Sequence, residues 1–135
     1  MKIKLLGKTL ELDSNLISET DNEVQRQIEE YLNGDRKEFE LKKTFPSNFT
    51  GLVMKEMEKI PYGETKSYGT IADQIDSSPI AVGQACGRNP LPIIIPCHRV
   101  TSKNGIGGYA FGIALKKYLI QLEKSGYRNT NTTLS

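Results

Sequence analysis

One short run restricts the possible folds of this chain more than any other. The apolar residues Ile93-Ile94-Ile95 are followed directly by Pro96-Cys97-His98-Arg99-Val100. A short continuous apolar run is typical of a buried strand. The sequence therefore predicts a thiol, an imidazole and a guanidinium in consecutive positions at the end of a buried strand, a combination that points to chemistry.

The composition is that of a globular protein with one core or two small lobes. The chain has 135 residues, of which 37% are hydrophobic and 25% charged. No apolar run approaches the length of a membrane span, and the first residues lack a signal peptide, which predicts a cytoplasmic protein. The formal net charge of +2 is too small to indicate nucleic-acid binding by itself. Any DNA contact would need a local basic patch.

Cysteine and histidine are too few for a disulfide framework or a structural metal site. The chain contains two cysteines and one histidine, and in a reducing cytosol both thiols should be free. A structural zinc needs about four Cys or His ligands. The sequence predicts no protein-bound metal.

Residues 1–45 have the pattern of a small α/β lobe. Apolar residues alternate on either side of Gly7-Lys8, which predicts a β-hairpin with its turn there. An apolar stripe that starts after a cap at Thr20 and stops before Gly34 predicts a helix. Residues 39–41 suggest another short strand, and the pattern then breaks.

Residues 46–128 are predicted to form a mostly helical, winged-helix-like domain, so that the fold class is α+β. Ser67 and Ser78 are good N-caps for two short helices joined by a polar turn. This is the helix-turn-helix pattern, which plain helical hairpins share. Small residues dominate the second helix and would permit close approach to DNA or to another helix. The polar residues 129–135 are predicted to be a disordered tail.

Cys97 and His98 have the chemistry of a nucleophile and its base. A cysteine attacks as the thiolate, and needs a base or a positive field to lose its proton. Neighbours in a strand point to opposite faces, so the proton would pass through a bridging water. Glu123, on a closing helix, is the candidate that orients the imidazole. Alternatively, Cys97 is a buried apolar residue and His98 a structural one.

The block from Asn89 to Val100, followed by Gly107-Gly108-Tyr109, resembles the active-site signature of the O6-alkylguanine-DNA alkyltransferases. The resemblance extends from about Phe45 to Gly126. It implies that the chain binds the minor groove of double-stranded DNA carrying O6-alkylguanine and flips the damaged base into a pocket. The alkyl group then moves irreversibly to a cysteine, once per molecule, without metal or cofactor. We expect a monomer.

The resemblance also implies roles for individual residues. Cys97 matches the alkyl acceptor, His98 the base that acts through a water, and Glu123 the carboxylate that orients it. Asn89 matches the brace between the recognition helix and the active site, and Tyr68 a proton donor beside the flipped base. The positions that match substrate-binding groups are Val100, Tyr109, Ala110 and Phe111. The positions assigned to DNA contact are Ile80, Ala81, Gly83, Gln84, Arg88 and Arg99.

The chain departs from the family pattern at two positions. Ile80 stands where an arginine usually enters the base stack, although an apolar wedge can also unstack a base step. Phe111 stands where a small residue is common, which predicts discrimination against bulky adducts such as benzyl.

Three other functions fit parts of the sequence. An alkyltransferase-like protein would bind the lesion without transfer, but such proteins replace the cysteine found here as Cys97. A hydrolytic cysteine enzyme usually has its Cys and His far apart in sequence. A winged-helix DNA-binding protein would leave Pro96-Cys97-His98-Arg99 without a purpose.

Overall fold

The computed structural model describes residues 1–125 and has an α+β fold. The predicted tail, 129–135, lies outside the described residues. The elements in chain order are β1 (Lys2–Leu5), β2 (Lys8–Glu11), α1 (Asp21–Leu32), α2 (Phe49–Glu58), β3 (Lys66–Ser67), α3 (Tyr68–Gln74), α4 (Pro79–Gly87), β4 (Val100–Thr101) and α5 (Ile113–Ser125). Strands β1 and β2 pair antiparallel, whereas β3 and β4 form a short parallel pair.

The N-terminal hairpin is present, with its turn one residue earlier than predicted. Leu6 and Gly7 occupy the turn with φ values of 50° and 73°. Two consecutive positive φ values are typical of a type I′ turn, which matches the twist of the flanking strands. Glycine tolerates this conformation without strain, so Gly7 fixes the position of the turn.

Helix α1 confirms the predicted helix, and the strand predicted after it is wrong. The Thr20 hydroxyl caps α1 by accepting a hydrogen bond from the Glu23 backbone N–H. Residues 39–41 belong to no strand. Instead, the side chain of Gln27 accepts a bond from the backbone N–H of Glu40 at 2.9 Å and donates one to its carbonyl at 3.2 Å. An amide side chain thus takes the place of a strand partner.

Helices α3 and α4 form at the two predicted sites. The hydroxyls of Ser67 and Ser78 each accept a bond from a backbone N–H in the first turn. Pro79 occupies the first position of α4, where its missing N–H costs nothing. The two helices pack against each other across a short turn. Their use as a DNA-binding helix-turn-helix remains a prediction.

The predicted strand at Ile93-Ile94-Ile95 is wrong, because this segment is a buried turn. Ile93 has a φ of 74°, and the backbone N–H of Ile95 bonds to the carbonyl of Leu91 at 2.8 Å. The flanking prolines lack the N–H groups that a strand ladder requires. The Asn89 side chain closes the turn by donating to the Ile95 carbonyl at 2.8 Å and accepting from the Leu91 N–H at 3.0 Å. The turn leads directly into one turn of 3-10 helix, Cys97–Arg99.

Buried apolar side chains from both halves of the chain form one contiguous cluster. It joins Leu10 and Ile28 of the N-terminal segment to Val53 and Leu119 of the later helices. The division at residue 45 remains a prediction. Within residues 1–125 no helix is long and apolar enough to cross a membrane, and no group of three or more His, Cys, Asp or Glu side chains could hold a metal ion.

Candidate active site

The 3-10 turn of Cys97–Arg99 sends its three side chains to different partners. The imidazole of His98 is fully buried, and its Nε2 lies 2.7 Å from Oε2 of Glu123 on α5. The pairing expected between these two residues is therefore present. Because α5 packs against this turn, the carboxylate approaches the imidazole from inside the protein.

Several groups besides His98 donate hydrogen bonds to the Glu123 carboxylate. Arg99 donates from Nε to Oε1 at 2.8 Å and from Nη2 to Oε2 at 2.9 Å. The backbone N–H of Gly63, at φ 84°, donates to Oε1 at 3.1 Å, and the hydroxyl of Tyr31 donates to Oε2 at 2.5 Å. Burial alone would raise the pKa of Glu123, but the bonds from His98 and Arg99 outweigh it and lower the pKa to about 2. The carboxylate is therefore ionised at neutral pH.

The surroundings of His98 determine which ring nitrogen carries the proton. Burial lowers the pKa of His98 despite the opposing effect of Glu123, so the imidazole is neutral at pH 7. An ionised carboxylate can only accept, and Nε2 must therefore be the protonated nitrogen. Nδ1 keeps its lone pair and has no hydrogen-bond partner among residues 1–125. That nitrogen is available as a base.

Cys97 lies at the floor of a cavity of about 430 Å³. The cavity wall also includes the predicted proton donor Tyr68 and four of the residues assigned to substrate or DNA, namely Ile80, Gly83, Tyr109 and Ala110. Burial raises the pKa of the Cys97 thiol, although its hydrogen bonding with Asn89 and Tyr109 opposes this. The thiol is therefore protonated at rest and needs a base before it can attack.

Lys116 belongs to the site and was missed by sequence reasoning. Its ammonium is fully buried and donates to the carbonyls of Val100 at 2.6 Å and Gly108 at 2.8 Å. It also lies 3.5 Å from the hydroxyl of Tyr68. A usable signal existed, because Lys116 and Glu123 are seven residues apart on α5 and so share one helical face.

Tyr31 is the other missed residue, and it comes from the N-terminal segment. Its spacing in the apolar stripe of α1 assigns it to the core, where its ring does lie fully buried. The stripe contains no information about where the hydroxyl points. Only the tertiary fold brings that hydroxyl of α1 to Glu123 of α5.

Arg99, Val100 and Phe111 are among the predicted site residues that lie outside the cavity wall. The guanidinium of Arg99 is buried and also donates from Nη1 to the Ile60 carbonyl at 2.7 Å. We therefore assign Arg99 to the support of Glu123 and not to the DNA surface. The carbonyl of Val100 already accepts a hydrogen bond from the buried ammonium of Lys116 on α5. Phe111 packs edge-on against Tyr109, with ring centroids 5.5 Å apart, and could alter the cavity only through that ring.

Helix α4 presents an exposed face beside the cavity. Ile80, Gln84 and Arg88 are exposed at four-residue spacing, and Ile80 is 75% exposed at the cavity mouth. Ala81 and Gly83 are partly buried, and a Cβ at Gly83 would lie 3.9 Å from the Tyr68 ring. The helix contains no acidic side chain. An anionic backbone could therefore approach it without charge repulsion.

Comparison with other proteins identifies relatives of known name. The methylated-DNA–protein-cysteine methyltransferase of Archaeoglobus fulgidus is 47% identical over 113 residues, which cover 78% of this chain and 77% of that protein. The protein of the same name from Methanocaldococcus vulcanius is 54% identical over 78 residues, 58% of this chain and 48% of its own length. The chain thus matches about half the length of that second relative.

Solved structures show the same likeness. Mycobacterium tuberculosis OGT, crystallised in complex with DNA, superposes with a TM-score of 0.73 at 44% identity, covering 77% of this chain and 67% of its own. An O6-methylguanine DNA methyltransferase from Methanococcus jannaschii covers 100% of this chain and 93% of its own, with a TM-score of 0.63 and 27% identity. The family model for the DNA-binding domain of 6-O-methylguanine DNA methyltransferase matches residues 48–125. This chain therefore belongs to the O6-methylguanine DNA methyltransferase family.

Proposed function

We propose that this protein repairs DNA directly by moving an alkyl group from O6 of guanine to Sγ of Cys97. One observation carries the proposal. A cysteine at the floor of a cavity adjoins a buried histidine that has one nitrogen held by Glu123 and the other without a partner in residues 1–125. The cavity of about 430 Å³ falls within the roughly 300–1,000 Å³ of small-molecule sites.

The transfer conserves atoms and protons as follows. The Sγ proton of Cys97 passes through a water to Nδ1 of His98, and the thiolate attacks the alkyl carbon. The carbon–sulfur bond forms while the carbon–O6 bond breaks, and its electron pair goes to the guanine ring. Tyr68 donates a proton to the leaving base, and the proton held by the imidazolium then passes through solvent to the Tyr68 phenolate, which restores both groups. The stable thioether leaves no route to regenerate the thiol, so each molecule acts once.

Two features of the site support this division of roles. Burial raises the pKa of Tyr68, so its hydroxyl remains protonated and able to donate. Nζ of Lys116 lies 3.5 Å from the Tyr68 hydroxyl oxygen. Its positive charge would stabilise the phenolate that forms when Tyr68 gives up its proton.

The exposed face of α4 supports binding to double-stranded DNA. Ile80 is suited to enter the base stack as an apolar wedge where the guanine leaves it. Arg88 is placed to neutralise a phosphate, and the small residues Ala81 and Gly83 would permit close approach to the groove. A monomer as the active form is part of this proposal.

The test is to mix the protein with duplex DNA that carries one O6-methylguanine. After digestion, mass spectrometry should find the added methyl group on the peptide that contains Cys97, in a yield of one per protein molecule. Methylation of another residue, or none on folded protein, would overturn the proposal. Tight binding to the lesion without any methyl transfer would favour the alternative of a lesion-binding protein.

A matched substrate pair tests the prediction for Phe111. Its ring packs against Tyr109, which lines the cavity, so a bulky adduct should fit poorly. At limiting protein, transfer from benzylguanine should be much slower than from methylguanine in the same duplex. The Phe111→Gly variant should narrow this difference, and equal rates in the unaltered protein would contradict the prediction.

A further inference from the structure

Tyr31 reaches the candidate active site from the N-terminal segment, far from it in sequence. The side chain is fully buried on α1, and its hydroxyl donates to Oε2 of Glu123 at 2.5 Å. The same hydroxyl lies 3.4 Å from Nε2 of His98. Aromatic contacts with Phe39 and Tyr62 hold the ring, with centroids 5.5 Å and 6.1 Å away. The hydroxyl is therefore fixed beside the imidazole.

Tyr31 and His98 donate to the same oxygen atom. Oε2 of Glu123 receives both of these bonds and a third from Nη2 of Arg99. A hydrogen bond to a carboxylate becomes stronger when its donor gains a positive charge. Each further donor on Oε2 reduces what that oxygen can offer to a protonated imidazole. Tyr31 thus competes for the interaction that would stabilise the imidazolium.

We propose that Tyr31 is a positioning residue that holds the Glu123 carboxylate and takes up part of its hydrogen-bonding capacity, so that α1 limits the basicity of His98. Its effect on alkyl transfer rests on the proposed function, whereas its effect on the imidazole does not. The N-terminal segment would then contribute to the reactivity of the site as well as to its stability.

The charged and titratable groups around the imidazole are few. Glu123 and Lys116 approach from α5, Arg99 from the 3-10 turn, and Tyr31 from α1; the carboxylate raises the pKa of His98 and the two cations lower it. Burial raises the pKa of Tyr31 well above its usual value, so the hydroxyl remains a donor across the range in which imidazole titrates. A change at Tyr31 therefore reaches His98 through hydrogen bonding to Glu123.

The experiment uses the fact that the chain has a single histidine, whose ring nitrogens NMR can follow without ambiguity. The Tyr31→Phe variant keeps the ring and removes one oxygen. Its imidazole should titrate about one pH unit higher than in the unaltered protein, a tenfold change in proton affinity. The acid limb of the pH–rate profile of alkyl transfer should move upward by the same amount.

A second variant should shift the titration of His98 in the opposite direction. Site-specific 3-fluorotyrosine at position 31 keeps the hydroxyl and makes it a stronger donor, so the imidazole should titrate lower. The matched control is Ile28→Val, which alters a fully buried side chain on the same face of α1. It should lower stability slightly and leave the titration of His98 unchanged.

The outcomes separate this inference from the proposed function. An unchanged or lowered midpoint in folded Tyr31→Phe would overturn the role of Tyr31, even if alkyl transfer is found. Failure of alkyl transfer would overturn the function, while the NMR titration would still decide the role of Tyr31. If the Tyr31→Phe variant does not fold, the fluorotyrosine protein decides, and an unchanged midpoint there overturns the inference.

Discussion

The two sides of the Cys97–Arg99 turn differ in almost every physical respect. On the inner side, the Glu123 carboxylate accepts five hydrogen bonds, from Tyr31, Gly63, His98 and Arg99. On the outer side, a largely apolar cavity opens to solvent beyond Cys97. Under the proposed function, the inner side would prepare the base and the outer side would receive the substrate.

This contrast follows from the cost of burying charge. A buried ion pair is tolerated only when its remaining donors and acceptors are also bonded, and the inner side meets that condition around Glu123. The exception is Nδ1 of His98, which has no partner within residues 1–125. An atom that breaks this rule, next to a cysteine, is where reactivity is expected.

The largest expected effect distinguishes two thiols that open onto the same cavity. Cys86 and Cys97 both line it, but only Cys97 adjoins the His98 base. Cys86 donates to Sδ of Met57 at 3.6 Å, and burial raises its pKa to about 12. Cys97→Ser should abolish methyl transfer and retain binding to lesion-containing DNA, measured by gel shift. Cys86→Ser should retain transfer, and methylation found on Cys86 would contradict the assignment.

The substitution Glu123→Gln should disrupt the hydrogen-bonded network on the inner side. The change leaves the guanidinium of Arg99 buried without its counter-charge, which typically costs about 3–5 kcal/mol. Loss of the orienting carboxylate should also slow methyl transfer by at least roughly a hundredfold, the lower end of the contribution of general bases. Urea unfolding and single-turnover kinetics measure the two effects. The control, Glu56→Gln, removes an ion pair with the exposed ammonium of Lys59 and should cost less than about 1 kcal/mol.

The charge of Glu123 should also make the stability of the protein depend on pH, and the Glu123→Gln variant tests this. Glu123 has a pKa of about 2 in the folded protein against an ordinary value of 4.5. A lowered pKa contributes stability above the unfolded value, and that contribution is lost as pH falls from 4.5 towards 2. The difference in unfolding free energy between the unaltered protein and Glu123→Gln should therefore shrink across that window. If this difference in unfolding free energy stays constant from pH 6 to pH 3, the negative charge of Glu123 does not stabilise the folded protein.

Lys116→Met should have a smaller effect, because this residue lies between the two sides. The change removes the ammonium that donates to the carbonyls of Val100 and Gly108. The Gly108 carbonyl keeps its bond from the Tyr68 hydroxyl, whereas loss of the bond to the buried Val100 carbonyl should cost about 1–3 kcal/mol. Transfer should slow by roughly tenfold, the effect of about 1.4 kcal/mol in the barrier. Single-turnover rates measure this loss. The exposed neighbour Lys117 provides the control, since Lys117→Met should change neither rate nor stability.

Local signals explain what the sequence could predict. The hairpin and the capped helices α1, α3 and α4 form where their turn and cap residues stand, because these interactions span only a few positions. The prediction of a strand at Ile93-Ile94-Ile95 was wrong because an apolar run indicates that the segment is buried and does not determine its backbone conformation. The prolines around that run, and the bonds from Asn89, decide for a turn.

The site was predictable only in part, for a related reason. Cys97, His98 and Glu123 could be named from motif and helix, since each carries visible chemistry. Tyr31 could not, because its ring satisfies the periodicity of a buried helical face while its hydroxyl acts elsewhere. Lys116 offered only its seven-residue spacing from Glu123 on α5 as a signal. The position of the Tyr31 hydroxyl depends on a contact between residues 92 positions apart in sequence, which is a long-range property of the fold.

The smallest expected effect concerns the outer side, where Ile80 is 75% exposed at the cavity mouth. An apolar side chain there contributes wedging but no charge, whereas Ile80→Arg adds one cation beside the DNA backbone. Each phosphate neutralised on duplex DNA steepens the dependence of log affinity on log salt by about 0.9. The variant should therefore bind a few-fold more tightly at low salt and lose that gain at high salt, with its salt slope steeper by about 0.9. Leu52→Arg places the same charge on an exposed position of α2 outside the cavity wall and should leave the slope nearly unchanged. If both variants steepened the slope equally, the extra affinity would be a property of net charge, and the outer side would lose its assignment as the DNA-facing surface.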